Sequence, residues 1–297
     1  MHTDFLAIVF GLLAGFGWGI SGFFDAKASR TAGPLLASLL INCLVAVGYA
    51  LLYLLFWRNG HHVQATGVYY ATASGVVITL GALSYFKGLA LGPVALVSPL
   101  SAAYPLVTTI IAFAIFGARL SGLQILAIYM IMAGVMAASG LLTARGIATR
   151  KLQKGPLLAL GTAICWGLGY AFAAQAITRL GWQLASLLEF GAMAVAFGVF
   201  IPMVKATEVI TLKHVVQGCK NRFILLSGGI SLGAATLLNV GLSRENSSGA
   251  IVAALSACYP VLTVLLARRS FDEAVALVPF IGAFVSIGGV ILLSLAH

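Results

Sequence analysis

Acidic residues are scarce. Asp and Glu together number seven in 297 residues, and charged residues of either sign make up 8% of the chain. A soluble domain carries about a quarter charged residues. Here mean hydropathy is +1.07 and 61% of residues are hydrophobic, which excludes a water-soluble globular protein. Cysteine is scarce as well, and Cys43, Cys165, Cys219 and Cys258 have no CxxC or metal-ligand spacing, so neither a disulfide framework nor a zinc site is expected. The histidines (His2, His61, His62, His214 and His297) fall in expected loops or termini, and no H-E-x-x-H pattern occurs. A phosphate-binding P-loop is also missing, so ATP-driven transport within this chain is not expected. Seventeen Lys and Arg give a net charge of +10, but no basic run suggests nucleic-acid binding. In so apolar a chain, the excess reads as cytoplasmic loops of a membrane protein.

What the chain does have is long apolar runs. About 20 apolar residues cover the ~30 Å hydrocarbon core as a helix. Runs of that length, broken by Gly, Pro or charge, predict spans over 5–24, 34–57, 67–91, 94–116 and 122–142 in the first half. In the second half they fall at 156–177, 184–204, 223–242, 249–267 and 274–296. The expected fold is an all-α integral membrane protein of ten transmembrane helices. The first run reads as an uncleaved helix rather than a signal peptide, because His2 and Asp4 are the only ionisable side chains before it and there is no basic n-region.

The two halves repeat each other. Trp18-Gly19 recurs as Trp166-Gly167 and Leu36-Ala37-Ser38-Leu39-Leu40 as Leu184-Ala185-Ser186-Leu187-Leu188, both shifted by 148 residues. Leu100-Ser101-Ala102-Ala103-Tyr104-Pro105-Leu106-Val107-Thr108 recurs as Leu255-Ser256-Ala257-Cys258-Tyr259-Pro260-Val261-Leu262-Thr263, shifted by 155. A duplication is expected, with units over 1–145 and 153–297. Five spans is an odd number, so the second unit enters the membrane from the opposite side, giving two inverted five-helix repeats. Such repeats are a feature of secondary transporters with a midplane site.

Two five-helix units, a Trp-Gly in the first helix of each and a Tyr-Pro in the fourth, the first of these preceded by "GPVALVSPLSA", resemble an EamA-type member of the drug/metabolite transporter superfamily. The resemblance covers nearly the whole chain. It implies a carrier of small metabolites, often an exporter, with a central cavity in a multi-pass plasma membrane protein of bacterial type, and it implies no cofactor. One departure stands out. The Gly-Glu-Arg often found at the end of the family's fourth helix reads here Gly117-Ala118-Arg119, and Ala267-Arg268-Arg269 in the second half, so no role of that glutamate carries over. Orientation has two opposed indications. With the N-terminus outside, thirteen basic residues, from Lys27 and Arg30 to Arg268 and Arg269, would be cytoplasmic, against Arg58, Arg119, Arg179 and Arg244 outside. The resemblance implies both termini inside.

Candidate cavity residues follow from polarity within apolar spans. Ser101, Tyr104 and Thr108, and likewise Ser256, Tyr259 and Thr263, recur at helical spacing on one face of each fourth helix, where they either line a cavity or bond neighbouring helices. Pro105 removes one helix hydrogen bond, which predicts a kink. Glu189, within the seventh span and matched by Ile41 in the repeat, is a proton carrier, the partner of a substrate ammonium, an interfacial residue about one and a half turns into the helix, or half of a structural ion pair; an ionised carboxylate mid-helix costs about 2.5–3.5 kcal/mol on insertion scales. Lys87 and Asp25 lie near span ends, where they either snorkel to headgroups or, for Lys87, bind a substrate carboxylate. Asn42 and Asn239 either orient a polar solute or bond between helices. Trp18 and Trp166 stack on a substrate or pack. Gly11, Gly15 and Gly19 form a small-residue stripe for close helix packing.

An enzyme is the competing class. Gly229-Ile230-Ser231-Leu232-Gly233 matches G-x-S-x-G, but within an apolar run rather than the strand-turn-helix elbow that the chemistry needs. Two further readings stay open: a carrier of drugs, sugars or nucleotides, and an accessory membrane subunit. The expected partners are a small-molecule substrate, the lipid bilayer and a coupling proton, with no nucleic acid; amino acids are the favoured substrate because the candidates mix aromatic, hydroxyl and carboxylate groups.

Overall fold

The computed structural model describes residues 2–56, 63–116, 121–138, 154–203, 210–243, 252, 256, 259–271 and 277–295, and the described residues in regular structure are all helical. In chain order the helices are α1 (His2–Ala32), α2 (Pro34–Phe56), α3 (Ala65–Leu91), α4 (Val94–Ser101), α5 (Tyr104–Phe116) and α6 (Gly122–Ala138). They continue as α7 (Lys154–Met203), α8 (Leu212–Gly218), α9 (Arg222–Leu242), α10 (Tyr259–Phe271) and α11 (Leu277–Leu295).

Six helical segments among the described residues are long and apolar enough to cross a membrane. One of them, Lys154–Pro202, has 49 residues. At 1.5 Å per residue that is roughly 74 Å, more than twice the ~30 Å hydrocarbon thickness. Gly181, with φ 74° and ψ 156°, kinks it into two lengths, so the loop expected between residues 177 and 184 is a single-residue turn. Gly33, with φ 88°, separates α1 from α2 in the same way. The two glycines are 148 residues apart, the offset of the Trp-Gly repeat, and both hold a conformation that a side chain would oppose.

The first helix is longer than its apolar run predicts. It continues past residue 24 to Ala32, because the chain meets no Gly or Pro after Gly22 until Gly33 and each charged side chain on the way finds company inside the protein. Asp25 accepts a hydrogen bond from the Ser227 hydroxyl. Lys27 lies over the Phe23 and Phe223 rings at 4.6 and 5.4 Å, and Arg30 donates to the carbonyls of Leu89 and Gly92, each at 3.2 Å. Lys27 and Arg30 are therefore helical residues rather than loop residues, and Asp25 is buried at 8% exposure rather than snorkelling.

The fourth span is broken, as the proline predicts. Pro105 has no N–H for the Ser101 carbonyl, so α4 ends at Ser101, Ala102 and Ala103 form a turn, and the Leu106 N–H donates to Ala103 O at 3.1 Å. The expected fifth span ends at Ala138, and its last four residues lie outside the described ones. Of the span expected over 249–267, Val252, Ser256 and α10 are described, and α10 runs on to Phe271. The short α8 is too polar for hydropathy to find; Thr211 and His214 cap it reciprocally.

Packing crosses between the halves. The first helix of each half lies along the third helix of the other, α1 on α9 and the first half of α7 on α3. α6 and α11 pair with each other around Ala127, Ile131 and Val290. Large apolar side chains such as Leu54, Phe56, Tyr129 and Val195 are more than 60% exposed on the outside. A soluble monomer rarely exposes so much apolar surface. A lipid-facing belt requires it, and this is a multi-pass membrane protein.

Candidate functional site: the central cavity

A cavity of about 360 Å³ lies between the halves, within the range of small-molecule pockets. Its described walls come from α1, α2, α3, α5, α7, α9 and α10, together with Ser256. The paired α6 and α11 contribute nothing to it.

Two joints frame the cavity, and they are near copies. The Thr108 hydroxyl donates to the Gly167 carbonyl at 2.9 Å, and the Thr263 hydroxyl donates to the Gly19 carbonyl at the same distance. Each threonine also lies within reach of its own helix at Tyr104 O and Tyr259 O, 3.2 and 3.3 Å away. The Trp-Gly of one half thus seats the Tyr-Pro-x-x-Thr of the other. Glycine is needed at both seats. A Cβ at Gly19 would come within 2.8 Å of Leu262 Cβ and 3.0 Å of Tyr259 O; one at Gly167 would run into Val107 Cβ and come within 2.7 Å of Tyr104 O.

The third helices reveal a match too short to find in the sequence. Ser74-Gly75 on α3 corresponds to Ser227-Gly228 on α9, an offset of 153 that lies between the 148 and 155 of the longer matches. Gly75 meets Ala192 and Gly228 meets Leu44, and those partners are themselves equivalent at offset 148.

With these offsets the cavity positions fall into pairs, one from each half. Trp18 and Trp166 pair, as do Tyr104 and Tyr259, and these four are alike. Elsewhere the mates differ. Asp25 faces the cavity opposite Ala173, Glu189 opposite Ile41, Asn42 opposite Phe190, Asn239 opposite Phe86, and Tyr85 opposite Leu238.

Of the residues selected from sequence, Trp18, Asn42, Tyr104, Thr108, Trp166, Glu189, Asn239, Ser256 and Tyr259 line this cavity. Three candidates do not. Lys87 is exposed just before the last turn of α3 and lies off the cavity wall. Ser101 is fully buried, its hydroxyl donating to Ser98 O at 2.8 Å beside the helix break, and Thr263 is consumed by the joint to Gly19. For these two, bonding within the bundle is the role on display.

Sequence reasoning misses Asp25 as a wall residue, along with Tyr85, Tyr170, Phe190 and Ser231. The last lies within α9, so the G-x-S-x-G match is a stretch of cavity-facing helix rather than a nucleophile elbow. Tyr85 and Tyr170 join Trp166 and Tyr104 in a continuous aromatic row. Ring centroids are 5.1 Å apart for Tyr85 and Trp166, 6.4 Å for Trp166 and Tyr104, and 4.7 Å for Tyr104 and Tyr170. The missing side chain at Gly81 makes room for the Trp166 indole, whose N–H is buried without a hydrogen-bond partner. Asn239 donates to Ser186 Oγ at 2.9 Å and to Tyr49 OH at 3.3 Å, and Tyr49 stacks on Phe190 at 4.9 Å. Asn42 donates to Ser38 O at 2.8 Å.

A helical membrane protein built from two matching halves around a small-molecule cavity is the architecture of a solute carrier. The EamA-like transporter family matches residues 5–140 and again residues 153–295, and the chain belongs to that family. Family membership points to a transporter of the drug/metabolite superfamily rather than an enzyme. No curated protein matches the chain. A solved crystal structure matches 95% of this chain and 96% of its own at 17% identity with a TM-score of 0.60, which shows a shared fold.

Proposed function

We propose that this protein is a secondary transporter that moves a small metabolite through the central cavity by alternating access. In this reading the chain crosses the membrane ten times as two inverted five-helix repeats, the kinked α7 supplying two crossings and the broken pair α4 and α5 one. The observation that carries the proposal is the matched pair of joints around one cavity. Two equivalent joints, one seated on each half's Trp-Gly, let one loosen as the other tightens, which is what two inverted halves supply to a carrier. Alternating opening also explains why the joints use threonine-to-carbonyl bonds at close-packed glycines, contacts that hold helices near each other without interlocking large side chains.

Amino acids are the first substrate class to test, since the walls combine aromatic rings, hydroxyls and carboxylates. Export across a plasma membrane of bacterial type is proposed by analogy with the family alone. Glu189 is the proposed coupling group, carrying a proton in exchange for the solute; pH-independent transport, or full activity in Glu189→Gln, would remove it from that role.

Counterflow tests the carrier reading. Proteoliposomes holding only this protein are loaded with an unlabelled amino acid and diluted into trace label of the same solute, and the panel is then extended to sugars and nucleosides. Transient, saturable accumulation of label is expected. Its absence for every solute in folded, inserted protein would sink the proposal in favour of an accessory role.

A further inference from the structure

Taking the cavity as the transport site, we propose that its substrate is an amine of net positive charge with an aromatic or apolar body, bound in preference to the parent amino acid and to the corresponding acid.

The charges on the walls are one-sided. Asp25 and Glu189 line the cavity, and among the described residues no Lys, Arg or His does. The described basic side chains of the helices that form the walls are engaged elsewhere or exposed. Lys27 sits over the Phe23 and Phe223 rings, Arg30 bonds Leu89 O and Gly92 O, Arg179 bonds Gln175 O at 2.8 Å, and Arg222 lies over Phe223 at 4.9 Å. Lys87, Lys154 and Arg269 are exposed. A solute carboxylate or phosphate entering the cavity would meet two acids and no described cation.

The helix break beside the cavity does not compensate by offering an anion site. Ala102 and Ala103 donate their N–H groups to Ser98 O and Leu100 O, Leu106 donates to Ala103 O, and Pro105 has none. Asn239 commits its amide protons to Ser186 and Tyr49, so its free capacity is the carbonyl oxygen, which accepts from an ammonium and not from a carboxylate. The Trp166 N–H and the Tyr259 hydroxyl, both buried without a hydrogen-bond partner, remain as donors, but both are neutral.

The two acids also stand at separate places in the duplicated frame. Asp25 is beside Ser227 and Glu189 beside Ser74, the equivalent serines of the two third helices. Ser227 gives its proton to Asp25, whereas Ser74 gives its proton to Gly169 O at 2.9 Å. Asp25 thus has a hydroxyl proton committed to it, whereas the serine beside Glu189 donates to a backbone carbonyl, and Glu189 lies on α7, the helix that also carries Trp166 and Tyr170 of the aromatic row. Ring faces attract an ammonium and stack on an arene, so this wall accepts both ends of an arylalkylamine. The row reaches α1 at its Tyr85 end, where the hydroxyl lies near Gly22, and the positions equivalent to Glu189, Tyr85 and Tyr170 in the other half carry Ile41, Leu238 and Gly22.

The test is direct binding to the whole protein in detergent, read from the fluorescence of the cavity tryptophans and from the shift in thermal unfolding. Three probes share one ring: phenethylamine, phenylalanine and 3-phenylpropionate. Phenethylamine is expected to bind at least tenfold more tightly than phenylalanine, and 3-phenylpropionate more weakly still. Glu189→Gln should lose at least tenfold for the amine and narrow its lead over phenylalanine, with Asp25→Asn losing less. Phenylalanine or phenylpropionate binding as tightly as the amine would overturn the proposal, and so would no binding of the amine at millimolar concentration. The ranking on the unaltered protein decides even if a variant fails to fold. Counterflow of a zwitterion or a neutral solute alongside a failed amine ranking would leave the carrier standing and remove only the substrate class.

Discussion

The joints between the halves and the walls between the joints have followed different rules. At the joints the two copies still agree in the residues that bond, with Gly19 and Thr263 repeating Gly167 and Thr108 at the same 2.9 Å. On the walls, equivalent positions carry Asp25 and Ala173, Ile41 and Glu189, Asn42 and Phe190. A joint between close-packed backbones tolerates almost no change, because a methylene added there has nowhere to go. A position that faces an open cavity carries no such restriction, so it is free to follow the chemistry of the solute. In the proposed transporter, the symmetric part holds and moves the helices, and the asymmetric part sets the selectivity.

That contrast can be broken most forcefully at the joints. Gly167→Leu should destabilise by about 3 kcal/mol through overpacking against Val107 and the Tyr104 carbonyl. Gly19→Leu, whose neighbours stand slightly further off, should cost somewhat less. Gly229→Leu, with nothing within 4 Å of its Cβ position, serves as the matched control and should leave the unfolding temperature in detergent almost unchanged. Equal melting curves for all three would mean that the seats are not tight.

The turns come next. Gly33→Ala and Gly181→Ala each force a side chain into a region that favours glycine, for about 1–2 kcal/mol apiece. Gly181 has no atom within 4 Å to clash with, so its loss is purely conformational, and the two variants should lose similar amounts in thermal unfolding.

Smaller effects sharpen the comparison. Thr108→Val and Thr263→Val each delete one bond between the halves, which costs about 0.5–1.5 kcal/mol. The pair should match within a few tenths of a kcal/mol and add in the double variant, since they sit on separate joints. A large inequality would show that one joint carries more of the interface than the other. Smallest in stability and largest in asymmetry are the serines. Ser227→Ala removes the hydroxyl that donates to Asp25, frees that carboxylate to accept from an ammonium and should tighten amine binding measurably, whereas Ser74→Ala loses a bond to a backbone carbonyl and should change binding less than threefold.

Much of the architecture is legible in the chain. Hydropathy is a sum over about 20 neighbouring residues, so it locates the helices without knowing what they touch. The Trp-Gly and Tyr-Pro strings announce a duplication because they are long enough to stand out from apolar background. Asp25 misleads for the same reason that the spans can be found. A carboxylate near the end of an apolar run looks like a residue on its way to water, and only the arrival of Ser227 from 202 residues away shows that it stays inside. Lys87 misleads in the opposite direction, since its rotation about the helix axis is set by how α3 packs on α7. Ser74-Gly75 escapes notice because two common residues carry too little information until the contacts of Gly75 and Gly228 align them.

By itself, then, the amino-acid order determined that this chain is a membrane protein, that it is built twice, and which residue types are available to a site, because these depend on local composition and on strings within one segment. Tertiary structure decided which helix of one half seats against which helix of the other, and which side of each helix meets the cavity. Those are matters of rotation and approach between segments far apart in the chain, and they are settled by the fit of glycine gaps to the side chains and carbonyls that fill them.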